Sequence, residues 1–135
     1  MKRVYEVTIE RTFSAAHALL IRGVREPVHG HDWRLAVVVA GRSLDEDELL
    51  VDFHALEAAV DAIIAPFRNA DLNAVAPFDR VNPSAEAVAR HVADRIAAAL
   101  PDLGGAAGLA VAEVRVGEAP GCTATVRPDG AGGDR

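Results

Sequence analysis

The chain has one cysteine, Cys122, so it can form no internal disulfide, and this usage fits a reducing compartment. Long apolar runs are also missing. No stretch approaches the length of a bilayer span, and Met1-Lys2-Arg3 leads into an alternating strand rather than a signal-peptide core. The expected location is cytoplasmic, with no membrane partner. Positive charge is short as well: 14 Lys and Arg stand against 20 Asp and Glu, a net charge of -6. That balance lacks the basic footprint of a general nucleic-acid surface. What remains is 135 residues, 50% hydrophobic and 25% charged, which suits one domain with a real core and no sequence repeat.

From Val4 to Thr12, Tyr5, Val7 and Ile9 alternate with Glu6, Thr8 and Glu10, the period-two pattern of a half-buried strand. Residues Ala18 to Val28 carry Gly23 and Pro27 and predict a loop. A second strand to Gly41 puts His29, His31, Trp33, Leu35, Val37 and Val39 on one face. Phe53, Leu56, Val60, Ile63, Ile64 and Phe67 recur at helical spacing, with Asp52 as cap and an end near Pro66. Asn82-Pro83 predicts an N-cap and first helical position for a second helix along Val88, Val92, Ile96 and Leu100. A third strand is expected over Leu109 to Gly117. After a turn at Ala119-Pro120-Gly121, Cys122 to Val126 form a fourth, in which Cys122 is expected to be buried.

This order predicts an α+β fold: a four-stranded antiparallel sheet with two helices on one face, ββααββ. Residues 1–127 form a single domain, and the glycine- and charge-rich tail at 128–135 is expected to be disordered. The other sheet face, expected to carry Val, Leu and Trp too, would need a second copy to cover it.

Three histidines carry the chemistry. His29 and His31, one residue apart on a strand, point their imidazoles the same way, and His17 follows the first strand. Three neutral imidazoles leave a zinc ion's fourth position open, the mark of a catalytic rather than a structural site. His54 and His91 lie in the helices without a partner motif and are expected at the helix surface.

Phe13-Ser14-Ala15-Ala16-His17, His29-Gly30-His31, Val51-Asp52-Phe53, Leu72-Asn73, Asn82-Pro83-Ser84 with Glu86, and Glu118 follow one another in an order that resembles the 6-pyruvoyl-tetrahydropterin synthase and 6-carboxytetrahydropterin synthase family, over nearly the whole chain to Val126. The resemblance implies the tunnelling fold, in which subunits join their sheets into a barrel as a homotrimer or homohexamer with active sites between subunits. It also implies a zinc (Zn2+) site of His17, His29 and His31, with Glu118 as the carboxylate that anchors a small-molecule pterin substrate. A carboxylate suits that task because it accepts two parallel hydrogen bonds from the pterin ring N–H and amino group.

The chain departs from the family's commonest pattern at two places. Arg25 stands where a cysteine usually precedes the His-Gly-His histidines, and a guanidinium cannot act as a base at neutral pH. Glu26, three residues before His29, instead resembles the E-x-x-H-G-H subtype, in which a glutamate moves the proton. Arg68-Asn69 occupy the places of an Asp-His proton relay, which makes Asp71 a candidate substitute. The implied activity is a zinc-dependent lyase on 7,8-dihydroneopterin triphosphate, with Glu26 as general base and 6-hydroxymethyl-7,8-dihydropterin as product. The alternatives are 6-carboxytetrahydropterin or 6-pyruvoyl-tetrahydropterin synthesis, and, in another class, a pterin- or purine-binding protein with reduced or no catalysis.

Overall fold

Trp33, Leu35, Val37 and Val39 are almost fully buried, and they stand on one face of the strand that runs through the middle of the molecule. In the computed structural model, which describes residues 2–128, that strand is β4 (His29–Gly41). It pairs antiparallel with β1 (Tyr5–His17) on one side and β6 (Ala110–Ala119) on the other, and β7 (Cys122–Val126) lies beyond β6. The expected four antiparallel strands are therefore present, with β1 running five residues past its predicted end at Thr12 to include His17. A two-residue strand, β5 (Ala70–Asp71), adds itself in parallel to β1 at Ala15 and Ala16 and makes the sheet five-stranded. The expected tail from 129 onward lies outside the described residues.

Part of the segment expected as a loop is a hairpin. β2 (Leu20–Ile21) pairs with β3 (Val24–Arg25) across Arg22-Gly23, both with positive φ, 50° and 80°. Two such residues match the right-handed twist of a two-residue hairpin, and glycine at the second place adopts this backbone without a Cβ clash. No apolar alternation announces strands this short.

α1 (Phe53–Ile64) starts where the Asp52 carboxylate accepts the His54 N–H at 2.8 Å. It buries Leu56, Val60 and Ile64 at i, i+4 spacing, and Phe67 continues the stripe in the tight turn that Pro66 imposes. Phe53, expected on that stripe, is the first residue of the helix and is 55% exposed. α2 (Ala85–Ala99) is capped by Ser84, whose hydroxyl accepts the Ala87 N–H at 3.0 Å. This corrects the predicted cap at Asn82 by two residues: the Asn82 amide is occupied with the backbone of Leu20 instead. Val88, Val92 and Ile96 then face the sheet, with Ala89 and Ala93 letting the helix lie close to it.

Both helices cover the same face, where Ile9, Phe13, Trp33, Leu35, Val37, Val114 and Val116 complete one core. Each fully buried Val, Leu or Phe contributes roughly 1.5–3 kcal/mol, so a charge at Val37 or Ile96 would break the layer. Arg11 ties the edge of β1 to α1 through Asp61 at 2.7 Å and Glu57 at 3.1 Å, and its guanidinium holds the Asp61 carboxyl below the usual range.

The opposite face overturns one expectation. Cross-strand pairs put Thr12, Arg34, Gly117 and Thr123 in one row and Glu10, Ala36, Arg115 and Thr125 in the next, so this face is polar. Trp33 and most of the Leu and Val side chains meant to need a second copy are spent on the helix-covered core, because a period of two sends them one way; Val38, between Thr8 and Glu113, is an apolar residue on the opposite face. Cys122 is exposed rather than buried, since β7 begins at the sheet's edge. His91 is half-buried rather than free at the helix surface: it stands edge-on to Phe67 and Phe78 at 5.6 Å, and burial pushes its pKa down.

Candidate metal centre

The pairing of β1 with β4 decides what meets at one end of the sheet. His17 lies directly across from His29, Ala15 from His31 and Phe13 from Trp33. Directly opposed residues of an antiparallel pair share a face, so all three imidazoles stand on the core side of the strands, beyond the last layer of apolar side chains. Ring centroids of His17 are 4.7 Å from His29 and 5.1 Å from His31, all edge to face. Trp33 closes the floor, edge-on to His17 at 4.9 Å, with its indole N–H donating to the Ala15 carbonyl at 3.1 Å.

Backbone carbonyls fix which nitrogen of two rings carries the proton. His17 Nδ1 lies 2.8 Å from the Pro83 carbonyl and His29 Nδ1 lies 2.9 Å from the Pro27 carbonyl. A carbonyl only accepts, so each Nδ1 is the N–H, which leaves Nε2 as the nitrogen of each ring that can ligate. Burial pushes the His31 pKa down, which favours the neutral, ligating form, against the opposite pull of Glu118.

Glu118 completes the group. The register of β6 against β7 shifts between Gly117 and Ala119, leaving Glu118 as the extra residue of a bulge, and bulges re-aim side chains in this way. Its Oε1 reaches 2.8 Å from His17 Nε2 and 3.2 Å from His31 Nε2. One ligand atom from each of His17, His29, His31 and Glu118 lies within 4.8 Å of the others. Both Nε2 atoms are buried without a hydrogen bond, because the carboxylate oxygen is close to them but not along a donor direction. Two buried ring nitrogens that face a carboxylate without hydrogen-bonding to it fit a cation. The cluster can hold a metal ion.

Glu26 stands at the rim. Its backbone N–H donates to the Leu19 carbonyl at 2.9 Å, and its Oε1 accepts the Leu19 N–H at 3.0 Å. Held on both counts, the same Oε1 lies 3.7 Å from His29 Nε2. The structure thus brings together His17, His29, His31, Glu118 and Glu26. It does not bring Asp71 to them. Asp71 is opposite Ala16, on the reverse face of the sheet, where its carboxylate caps the turn Leu72–Ala74 by accepting the Asn73 N–H at 3.0 Å.

Two asparagines act here in a way that sequence reasoning did not foresee. The Asn73 amide both accepts the Ala18 N–H and donates to the Ala18 carbonyl, at 2.8 and 2.9 Å, and Asn82 grips Leu20 identically at 2.9 and 3.0 Å. They splint the segment between His17 and the hairpin that carries Glu26. Leu72-Asn73 and Asn82-Pro83 were visible as motifs, but nothing local says that their amides pair with a backbone more than fifty residues away.

A family model described as 6-pyruvoyl tetrahydropterin synthase matches residues 6–129. The chain belongs to that family. A relative from Archaeoglobus fulgidus, provisionally named 6-carboxy-5,6,7,8-tetrahydropterin synthase, is 31% identical over 67 residues, which span 50% of this chain and 57% of that protein. The 6-pyruvoyl tetrahydropterin synthase of Caenorhabditis elegans superposes with a TM-score of 0.78 at 17% identity, covering 95% of this chain and 98% of that one. The Plasmodium vivax 6-pyruvoyltetrahydropterin synthase does so with a TM-score of 0.71 at 19% identity, covering 92% and 97%. At these identities the likeness is one of fold, and the fold is that of the 6-pyruvoyl tetrahydropterin synthases.

Proposed function

We propose that the protein is a zinc-dependent pterin lyase that cleaves the side chain of 7,8-dihydroneopterin triphosphate to 6-hydroxymethyl-7,8-dihydropterin. The observation that carries this reading is the Glu26 carboxylate, fixed by Leu19 at 3.7 Å from His29 Nε2, at the rim of a three-imidazole site that has no cysteine. Zinc suits a set of neutral imidazoles, and when bound it supplies Lewis-acid polarisation of the substrate's side-chain oxygens.

Glu26 then takes the proton from the hydroxyl on the second side-chain carbon. The bond between the first and second carbons breaks, and its electron pair passes into the ring imine. The second carbon leaves as an aldehyde carrying the triphosphate, and a proton returned to the first carbon gives the hydroxymethyl product. Glu118 receives the pterin ring through paired hydrogen bonds from ring N–H and amino group. A solved Plasmodium vivax 6-pyruvoyltetrahydropterin synthase has a glutamate, described as a catalytic residue, replaced by alanine, which supports a catalytic glutamate in this fold.

Assembly as a trimer or hexamer belongs to the same proposal. Its support is the long open edge of β1, which β5 pairs only at Ala15 and Ala16, together with the edge of β7; unpaired edges join sheets. One observation favours pterin binding without turnover. Arg68 is engaged with the Thr12 carbonyl at 3.3 Å, and Asn69 is a left-handed turn residue with φ 56°, so neither moves protons. Incubation of zinc-loaded protein with dihydroneopterin triphosphate and mass analysis of products separates the two.

A further inference from the structure

Three facts about Glu118 exceed what holding a pterin requires. Its Oε1 touches two ring nitrogens at once, at 2.8 and 3.2 Å. One of those rings, His17, is fully buried, and its other nitrogen is already committed to Pro83, so its lone pair has no water to turn to. Among the described residues Glu118 has no Arg or Lys at salt-bridge distance, and its charge faces imidazoles alone. A ring nitrogen and a carboxylate oxygen at 2.8 Å need a proton or a metal cation between them, and neither His17 Nε2 nor His31 Nε2 makes a hydrogen bond.

We infer that Glu118 is the fourth metal ligand of the substrate-free protein, closing the three-histidine site as a His₃Glu set, and that it leaves the metal when it takes up the pterin ring. The inference rests on the metal site proposed above and adds a role to it. A closed four-ligand site is the resting form of a structural zinc, whereas a catalytic zinc keeps a position open. Here one side chain converts the first into the second. The position opens only when a pterin is present to claim the carboxylate, so water does not occupy it between turnovers. The bulge at Gly117–Ala119 gives Glu118 its place without a paired neighbour in the ladder, and side chains at bulges are free to be re-aimed.

The test reads metal, not turnover. Zinc affinity is measured by chelator competition on wild type, Glu118→Gln and His29→Ala, and the visible spectrum of the Co2+-substituted forms is recorded without pterin. Partners outside the coordination shell already change metal affinity by roughly 10–100-fold; Glu118→Gln is expected to weaken zinc by at least about tenfold and to shift the Co2+ bands. Unchanged affinity and bands in Glu118→Gln, with metal lost in His29→Ala, overturn the inference and leave the metal site standing. Metal retained in full by His29→Ala overturns both. Wild type alone gives a second reading should the Gln variant fail to fold: 6-methylpterin, which has no side-chain oxygen to offer the metal, is expected to shift the Co2+ bands at saturation. Unmoved bands again overturn the inference.

Discussion

Glu118 Oε1 lies 2.8 Å from His17 Nε2, while the same imidazole gives its Nδ1 proton to the Pro83 carbonyl. The contact joins a strand-end carboxylate to a buried ring whose tautomer is set from the far side by the residue just before the α2 cap. The loop before α2, β1 and β6 therefore share one polar junction beneath an apolar core.

The three histidines should differ in what their loss costs. His29→Ala is expected to lose most bound metal with little loss of stability, since two imidazoles hold zinc poorly and the ring is partly exposed. His17→Ala is expected to lose metal and also about 2–4 kcal/mol of folding stability, because it empties a buried site against Trp33 and strands the Pro83 carbonyl. Metal analysis with urea unfolding of the metal-free proteins checks both. Equal destabilisation by the two would contradict this account.

Glu26→Gln keeps an oxygen for the Leu19 N–H but removes the base. Turnover is expected to fall by about 10²–10⁴-fold, the usual worth of general acid–base catalysis, with zinc content unchanged. An unaltered rate would assign the proton to another group.

Much of this was legible in the sequence because periodicity carried it. Alternation in the second strand put His29, His31 and Trp33 on one face, and helical spacing located both helices; His17 joins that face only because β1 runs on past Thr12. Contacts between distant segments were hidden. The cap at Ser84 rather than Asn82 depends on Asn82 being engaged by Leu20, sixty-two residues away. The polar second face follows from pairing in register, which composition does not display. Glu118 could be placed at a strand end, but only the bulge in β6 turns it onto His17 and His31.

The asparagine splints should matter for folding and for the site together. Asn73→Ala leaves the Ala18 N–H and carbonyl without partners next to His17, and it is expected to cost about 1–3 kcal/mol and to lower metal occupancy. Asn82→Ala, at a more exposed position, should cost less. Thermal unfolding and metal analysis check the order, and no effect of Asn73→Ala on either would remove its positioning role.

His91 makes stability depend on pH. Burial against Phe67 and Phe78 lowers its folded-state pKa below its ordinary value of 6.5. In the window below 6.5 the unfolded chain binds more protons than the folded one, so stability falls as pH drops through that value and levels off below the folded-state pKa. His31 contributes with the same sign in the metal-free protein, so His91 is read from the difference between wild type and His91→Gln. The variant should show a shallower loss of urea stability between neutral pH and pH 5; parallel curves would show that His91 does not report its burial.

The central claim is that the histidine and glutamate cluster performs side-chain cleavage on a pterin. The direct measurement is incubation of zinc-loaded protein with 7,8-dihydroneopterin triphosphate and identification of products by mass. The account predicts 6-hydroxymethyl-7,8-dihydropterin, formed by wild type and formed about 10²–10⁴-fold more slowly by Glu26→Gln. Tight pterin binding with no turnover, or 6-carboxytetrahydropterin or 6-pyruvoyl-tetrahydropterin as the product, would contradict it.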